Sequence, residues 1–158
     1  EYARPIRVEK TPKRVDELLQ QAWDELIVKR DNRQARLIEN TETEDLICSV
    51  EPFLIRQAIR NILDNSLAAC EDPVTITVTW TNSKLIGRDA LQVSLRDNGP
   101  GLTQDTRGKL FNEFFTTKTH GTGLGLAIVK RFIEAHSGTL VVEDFEDGLE
   151  LLITLPRG

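Results

Sequence analysis

Asp97-Asn98-Gly99-Pro100-Gly101-Leu102 follows the strand-like run Leu91-Gln92-Val93-Ser94-Leu95, and further on His120-Gly121-Thr122-Gly123-Leu124-Gly125-Leu126-Ala127 opens an apolar helix reaching Phe132. The first stretch sets one carboxylate before glycines at two-residue spacing. The second sets three glycines at a helix start. Glycine lets a backbone approach a ligand closely and reach positive φ. A helix N-terminus carries unpaired N–H groups and a partial positive charge, which suit phosphate. An acid at one end and a phosphate cradle at the other are what a nucleotide needs.

Working outward, Val15 to Lys29 has helical period, with Val15, Leu18, Leu19, Ala22, Leu26 and Ile27 on one face. Alternation at Ala35 and Leu37, then at Leu46, Cys48 and Val50, predicts two short strands joined by the polar turn 40–45. Pro52 suits a first helical turn, and that helix runs to Cys70, where Glu71-Asp72-Pro73 stops it. Val74 to Thr81 alternates as a half-buried strand, residues 82–89 form a polar loop, and 90–96 return as the second arm of a hairpin. Residues 97–121 are a long loop, which in a compact domain is functional or mobile. A helix from Gly123 to His136 stops at Ser137-Gly138, and strands at 139–143 and 149–155 close the chain. Helices and paired strands segregate, so the fold class is α+β rather than a doubly wound parallel sheet.

The 158 residues, 39% apolar and 28% charged, make one ordinary soluble domain. A net charge of −5 without a basic cluster argues against nucleic acid. No apolar run approaches a bilayer-spanning length, and no signal peptide is visible, so no membrane contact by this domain is expected. Cys48 and Cys70 lack metal-ligand spacing and read as reduced packing residues of a cytoplasmic protein. The chain contains no Met and reads as a piece of a longer protein, with residues 1–14 a linker and 15–158 the domain.

Each candidate site residue has a plain and a functional reading. Gln57, Asn61 and Asn65 recur every four residues on one side of the second helix, opposite Ile55, Ile59, Ile62 and Ser66. They are either a solvated polar face or, because amide oxygens are hard neutral ligands, a seat for Mg²⁺ carrying phosphates. Asp97 before Asn98-Gly99 is either a turn or the acceptor of a purine exocyclic amine, which would favour adenine over guanine. Gly99 and Gly101 would let the base slide across the backbone. The triplet Gly121, Gly123, Gly125 is not the dinucleotide fingerprint, and Gly108-Lys109-Leu110 lacks the P-loop hydroxyl. Phe111, Phe114 and Phe115 anchor a segment whose remainder could act as a lid, and Lys118 is either solvated or available to phosphate. His136, at a helix end that favours imidazolium, reads as structural.

Four blocks in this order resemble the catalytic, ATP-binding domain of bacterial sensor histidine kinases, in the GHKL superfamily. Asn61-Ile-Leu-Asp-Asn65-Ser66 resembles the N box, and Asp97-Asn-Gly-Pro-Gly101-Leu102 the first glycine box. Leu110-Phe-Asn-Glu-Phe-Phe-Thr-Thr-Lys118 resembles the phenylalanine box, and Gly121-Thr-Gly-Leu-Gly-Leu-Ala-Ile-Val-Lys130 the second glycine box. The Phe-Phe-Thr-Thr-Lys and Gly-Thr-Gly-Leu-Gly-Leu-Ala wording is closest to the nitrogen-regulation type. The resemblance runs from Pro12 to Pro156.

It implies a two-layer Bergerat sandwich: a mixed sheet of about five strands, three helices on one face and a mobile ATP lid. It implies Asn65 as the Mg²⁺ ligand, Asn61 as its companion at the phosphates, and Asp97 as the adenine-binding acid. Gly99, Gly101, Leu102 and Phe111 would line the nucleotide, and Lys118, Gly121, Thr122, Gly123, Leu124 and Gly125 would serve its phosphates and hinge the lid. Gyrase-like and MutL-like members carry a water-activating Glu where this chain has Asn61, and Asn cannot act as a general base. The implied function is transfer of the γ-phosphoryl of Mg·ATP to a histidine on a separate dimerisation domain of the same protein, with a response regulator downstream. Neither His120, followed by Gly, nor His136, followed by Ser, resembles that acceptor, while Tyr2-Ala-Arg-Pro5 resembles the tail of the dimerisation domain. The domain is expected in the cytoplasm, whether or not its parent is anchored in the inner membrane. A serine kinase of the anti-sigma-factor type and a non-catalytic nucleotide-sensing module are the alternatives.

Overall fold

The computed structural model describes residues 5–101 and 125–158. Their elements are β1 (Thr11–Arg14), α1 (Val15–Glu25), α2 (Ile27–Arg30), β2 (Ala35–Thr41), β3 (Ile47–Val50) and α3 (Pro52–Ala69). These are followed by β4 (Val74–Leu85), β5 (Arg88–Arg96), α4 (Gly125–Ala135), β6 (Thr139–Phe145) and β7 (Gly148–Pro156). A five-stranded sheet has the order β2-β4-β5-β7-β6, with β2 parallel to β4 and every other pairing antiparallel. The α+β expectation and the mixed sheet therefore hold.

Amphipathic faces decide the layering. Val74, Ile76, Val78 and Trp80 alternate inward on β4, and Leu91, Val93 and Leu95 face the same core from β5. Onto them pack Leu18, Leu19 and Ala22 of α1, Ile55, Ile59, Ile62 and Leu63 of α3, and Val129 and Ile133 of α4. Each Val, Leu or Ile among these contributes roughly 1.5–3 kcal/mol by leaving water. The Arg56–Glu25, Arg60–Glu25 and Lys29–Asp64 ion pairs between the α1–α2 region and α3 are partly exposed, at 3.0, 3.3 and 2.9 Å. Pairs of that kind are worth about 1 kcal/mol or less each. The apolar stripes hold the layers together.

Both ends of α3 are closed by side chains. Glu51 accepts from the Phe53 and Leu54 N–H groups at 2.7 and 3.3 Å, with Pro52 in the first turn. At the other end the Arg33 guanidinium donates to the carbonyls of Leu67 and Cys70 and pairs with Asp72. A cation on the last carbonyls satisfies groups the helix leaves orphaned.

Four local expectations are corrected. Residues 11–14, assigned to the linker, form β1 and pair antiparallel with β3 in a separate two-stranded sheet. Consequently β2 and β3 are not a hairpin: β2 pairs in parallel with β4 through the α3 crossover. Alternation specifies which face a strand buries but not its partner. The first helix ends at Glu25, and Ile27–Arg30 form the short α2, leaving Ile27 and Val28 exposed. The 82–89 loop is mostly strand: β4 and β5 continue to a two-residue turn at Ile86 (φ 50°) and Gly87 (φ 75°). That is the type I′ pattern. The inward–outward alternation fades there because Asn82–Leu85 extend past the covering helices, with no fully buried residue among them. The expected lid lies outside the described residues.

Candidate functional site

Asp97 leaves the end of β5 and is 6% exposed, a carboxylate inside the domain. Two N–H groups and one O–H group hold it. Its Oδ1 accepts from the Gly99 N–H at 3.0 Å, closing an Asx-type turn, and from the Leu149 N–H at 3.1 Å. Its Oδ2 accepts from the Ser66 hydroxyl at 2.8 Å. The Asp97 N–H in turn donates to the Leu149 carbonyl at 3.0 Å, so the β6–β7 turn is fastened to the acid. Hydrogen bonds to an ionised acceptor are short and strong, which offsets the cost of burying the group.

The glycines let the loop after this acid pack closely on Cys70 and on the β6–β7 turn. A Cβ on Gly99 would lie 2.8 Å from the Cys70 Sγ. Gly101 has φ +76°, and a Cβ there would lie 2.2 Å from the Phe145 carbonyl oxygen. Only glycine fits that conformation and that gap. Cys70 is unpaired and buried, and burial, with the Asp97 charge beside it, pushes its thiol up to about 12. The floor next to Asp97 is therefore neutral. Asn98, read from sequence only as a turn residue, pins the loop: its Nδ2 donates to the Pro73 carbonyl at 2.9 Å and its Oδ1 accepts from the Thr75 N–H at 3.0 Å.

Asn61 and Asn65 project from the half-buried side of α3, and no hydrogen bond joins either amide to another described residue. A Cβ on Gly125, where the described part of α4 begins, would lie 3.3 Å from the Asn65 Nδ2 and 3.6 Å from its Oδ1. The fold thus sets Asn65 against α4, while Ser66, the next residue, reaches Asp97. One turn of α3 carries both ends of the site. Leu102, Phe111, Lys118, Gly121, Thr122, Gly123 and Leu124 lie outside the described residues.

His136 is structural, as expected, but its charge is corrected. It is 1% exposed, its Nδ1–H donates to the Phe132 carbonyl at 2.7 Å, and its Nε2 accepts from the Glu51 N–H at 3.0 Å. Both ring nitrogens are committed to the neutral form. Burial, the largest influence, holds its pKa below the ordinary imidazole value, and Lys10 also lowers it. Desolvation overrides the helix dipole here.

Sequence reasoning missed the part played by Ser66, which lies on the apolar side of its helix, and that of the Leu149 N–H. A hydroxyl on an apolar stripe, directly after Asn65, was the available signal for the first. For the second there was none, because a backbone N–H has no sequence signature. Among the described residues no helix is long and apolar enough to cross a membrane.

Known proteins resemble this chain in sequence and in fold. The chain is 35% identical to sporulation kinase E of Bacillus subtilis over 98% of its length and 21% of that protein's. It is 37% identical to nitrogen regulation protein NtrY of Azorhizobium caulinodans over 60% of its length and 13% of that protein's. The chain therefore spans about a fifth or less of the length of these curated relatives. The catalytic domain of histidine kinase ThkA superposes with a TM-score of 0.81 at 28% identity, covering 94% of this chain and 96% of that one. The same kinase in complex with response regulator TrrA matches at a TM-score of 0.77 and 24% identity, over 96% of this chain and 42% of that one, a likeness of fold. The model of the histidine kinase-, DNA gyrase B- and HSP90-like ATPases matches residues 50–158, the span from the end of β3 through α3, Asp97 and β7. The chain belongs to that family of ATPases, in the form of a sensor histidine kinase catalytic domain.

Proposed function

We propose that this domain binds Mg·ATP and presents the γ-phosphoryl group to a histidine on a separate dimerisation domain of its parent protein, with a response regulator as the next acceptor. The observation that carries the reading is the buried Asp97 carboxylate at the end of β5, fixed by the Ser66 hydroxyl and the Gly99 and Leu149 N–H groups. A fixed acceptor in a dry site suits an exocyclic amine. The base would lie against Gly99 and Gly101, and Asn61, Asn65 and Gly125 would serve the phosphates, together with the candidates Lys118 and 121–124 outside the described residues.

The donor set fits magnesium: the Asn65 amide is a hard neutral ligand with no competing hydrogen bond among the described residues. Asn65 would hold the ion, with Asn61 beside it, and the ion would neutralise phosphate charge. Phosphoryl transfer is mostly positioning and charge neutralisation; this chain's residues supply the first, and the ion would supply the second. Asp97 fixes the base, α3 aligns the phosphates with it, and Asn61 supplies no base to activate water. Slow hydrolysis follows, which preserves the phosphoryl group for its acceptor.

Mixing tests the reading. The chain alone with labelled ATP should form no stable phosphohistidine, and adding the parent's dimerisation domain should produce it. Phosphoserine on a protein partner would point to the serine-kinase alternative instead. Nucleotide affinity without transfer to any acceptor would leave a sensing module.

A further inference from the structure

A carboxylate offers roughly four acceptor positions. On Asp97, Gly99 and Leu149 occupy two at Oδ1 and Ser66 occupies one at Oδ2. The Cys70 thiol also reaches the acid, but a thiol is a weak donor that an amine outcompetes. Oδ2 is therefore the oxygen with capacity left for a ligand, and Ser66 is its partner.

The hydroxyl is out of place by packing alone. Ser66 is 6% exposed on a stripe that otherwise reads Ile55, Ala58, Ile59, Ile62, Leu63 and Leu67. Alanine would suit that stripe and the helix better. The hydroxyl's described partner is Asp97.

We propose that Ser66 is a positioning residue that sets purine selectivity through Asp97. Its single proton is committed to Oδ2, so the hydroxyl holds the carboxylate in one rotamer and has only acceptor capacity left over. The floor of the site then accepts hydrogen bonds and donates none from side chains. A 6-amino purine supplies the donor this floor needs. A 6-oxo purine brings a carbonyl to it and leaves two acceptors facing each other. Without Ser66, the carboxylate can turn and the discrimination weakens. The inference rests on the nucleotide reading above and adds to it the residue that enforces the choice of base.

The test is calorimetric titration of the 158-residue chain with ATP and, separately, inosine triphosphate, both with magnesium, for the native sequence, Ser66→Ala, Asp97→Asn and the double variant. Losing the hydroxyl that pre-orients the carboxylate predicts about tenfold weaker ATP binding by Ser66→Ala. Inosine triphosphate binding should change by less than about threefold, so the preference for the amine narrows. In the Asp97→Asn background, Ser66→Ala should add less than about twofold, because its effect passes through the acid. Equal weakening of both nucleotides, unchanged ATP affinity, or full additivity with Asp97→Asn would each overturn the role of Ser66 while leaving nucleotide binding standing. A native chain that binds neither triphosphate would overturn the function itself, and the inference with it.

Discussion

Asp97→Asn separates recognition from architecture, because the structure lets the two effects be sized independently. Asparagine is nearly isosteric, and its carbonyl oxygen can keep both N–H donors that Oδ1 receives from Gly99 and Leu149 at 3.0 and 3.1 Å. Its NH₂ then occupies the Oδ2 position, and the Ser66 hydroxyl, now 2.8 Å from the acid, can rotate from donating to accepting. All internal partners survive, and only the charge assistance is lost, costing about 1 kcal/mol of stability. For a chain of this size that is a melting shift of roughly 2–4 °C. On the ligand side the purine amine would face another donor instead of a carboxylate. Losing a hydrogen bond to a charged group costs about 1.5–3 kcal/mol, which is roughly ten- to 150-fold in affinity. Calorimetric titration with Mg·ATP, paired with a nucleotide-free melting scan, reads both quantities. A folded Asp97→Asn chain with native ATP affinity would refute the reasoning, and so would an affinity loss explained entirely by unfolding.

Other perturbations probe the frame. His136 has a lowered pKa in the fold, so the unfolded chain binds more protons near pH 6. Its stabilisation is complete above the ordinary imidazole pKa of about 6.5 and is lost as pH falls through the lower folded value. His136→Ala should cost about 1–3 kcal/mol at pH 7.5, by orphaning the Glu51 N–H and the Phe132 carbonyl, and should flatten stability between pH 7 and 5, measured by urea midpoints. Gly101→Ala, with φ +76° and a 2.2 Å clash against Phe145, should destabilise by at least about 1–2 kcal/mol and weaken ATP binding, checked by urea unfolding and titration. Ile86→Asn should stabilise by about 1 kcal/mol without touching nucleotide affinity, since Ile86 is fully exposed at φ 50° in a turn that favours Asn-Gly; an unchanged melting temperature would contradict this.

Much of this molecule is legible in its residues. Helical period marks α1 and α3, two-residue alternation marks β4, and β5 is legible as the returning arm of its hairpin. The misreadings share one cause. The pattern of Leu46, Cys48 and Val50 records that one face is buried but not that β1 is the partner across from it. Pro12 and the charged run around it gave β1 no apolar signature, because all four of its residues are exposed and its contribution is backbone pairing. Ser66 sat inside an apolar stripe and so looked like packing, until the acid from a distant strand met it. His136 looked like a charged helix cap because the dipole is local and visible, whereas the burial that neutralises it depends on Glu51 arriving from far along the chain.

The partners of Asp97 have a consequence for how this protein can be observed. Ser66 lies 31 positions before it and Leu149 lies 52 after it. No short fragment can assemble the acid's surroundings, and a half-formed chain has only a loose aspartate. Ligand should therefore engage finished molecules alone, adding about 2.7 kcal/mol of protection at a hundredfold excess over its dissociation constant. The moment a purine first gains affinity during refolding would then time the docking of the last hairpin onto the middle of the chain.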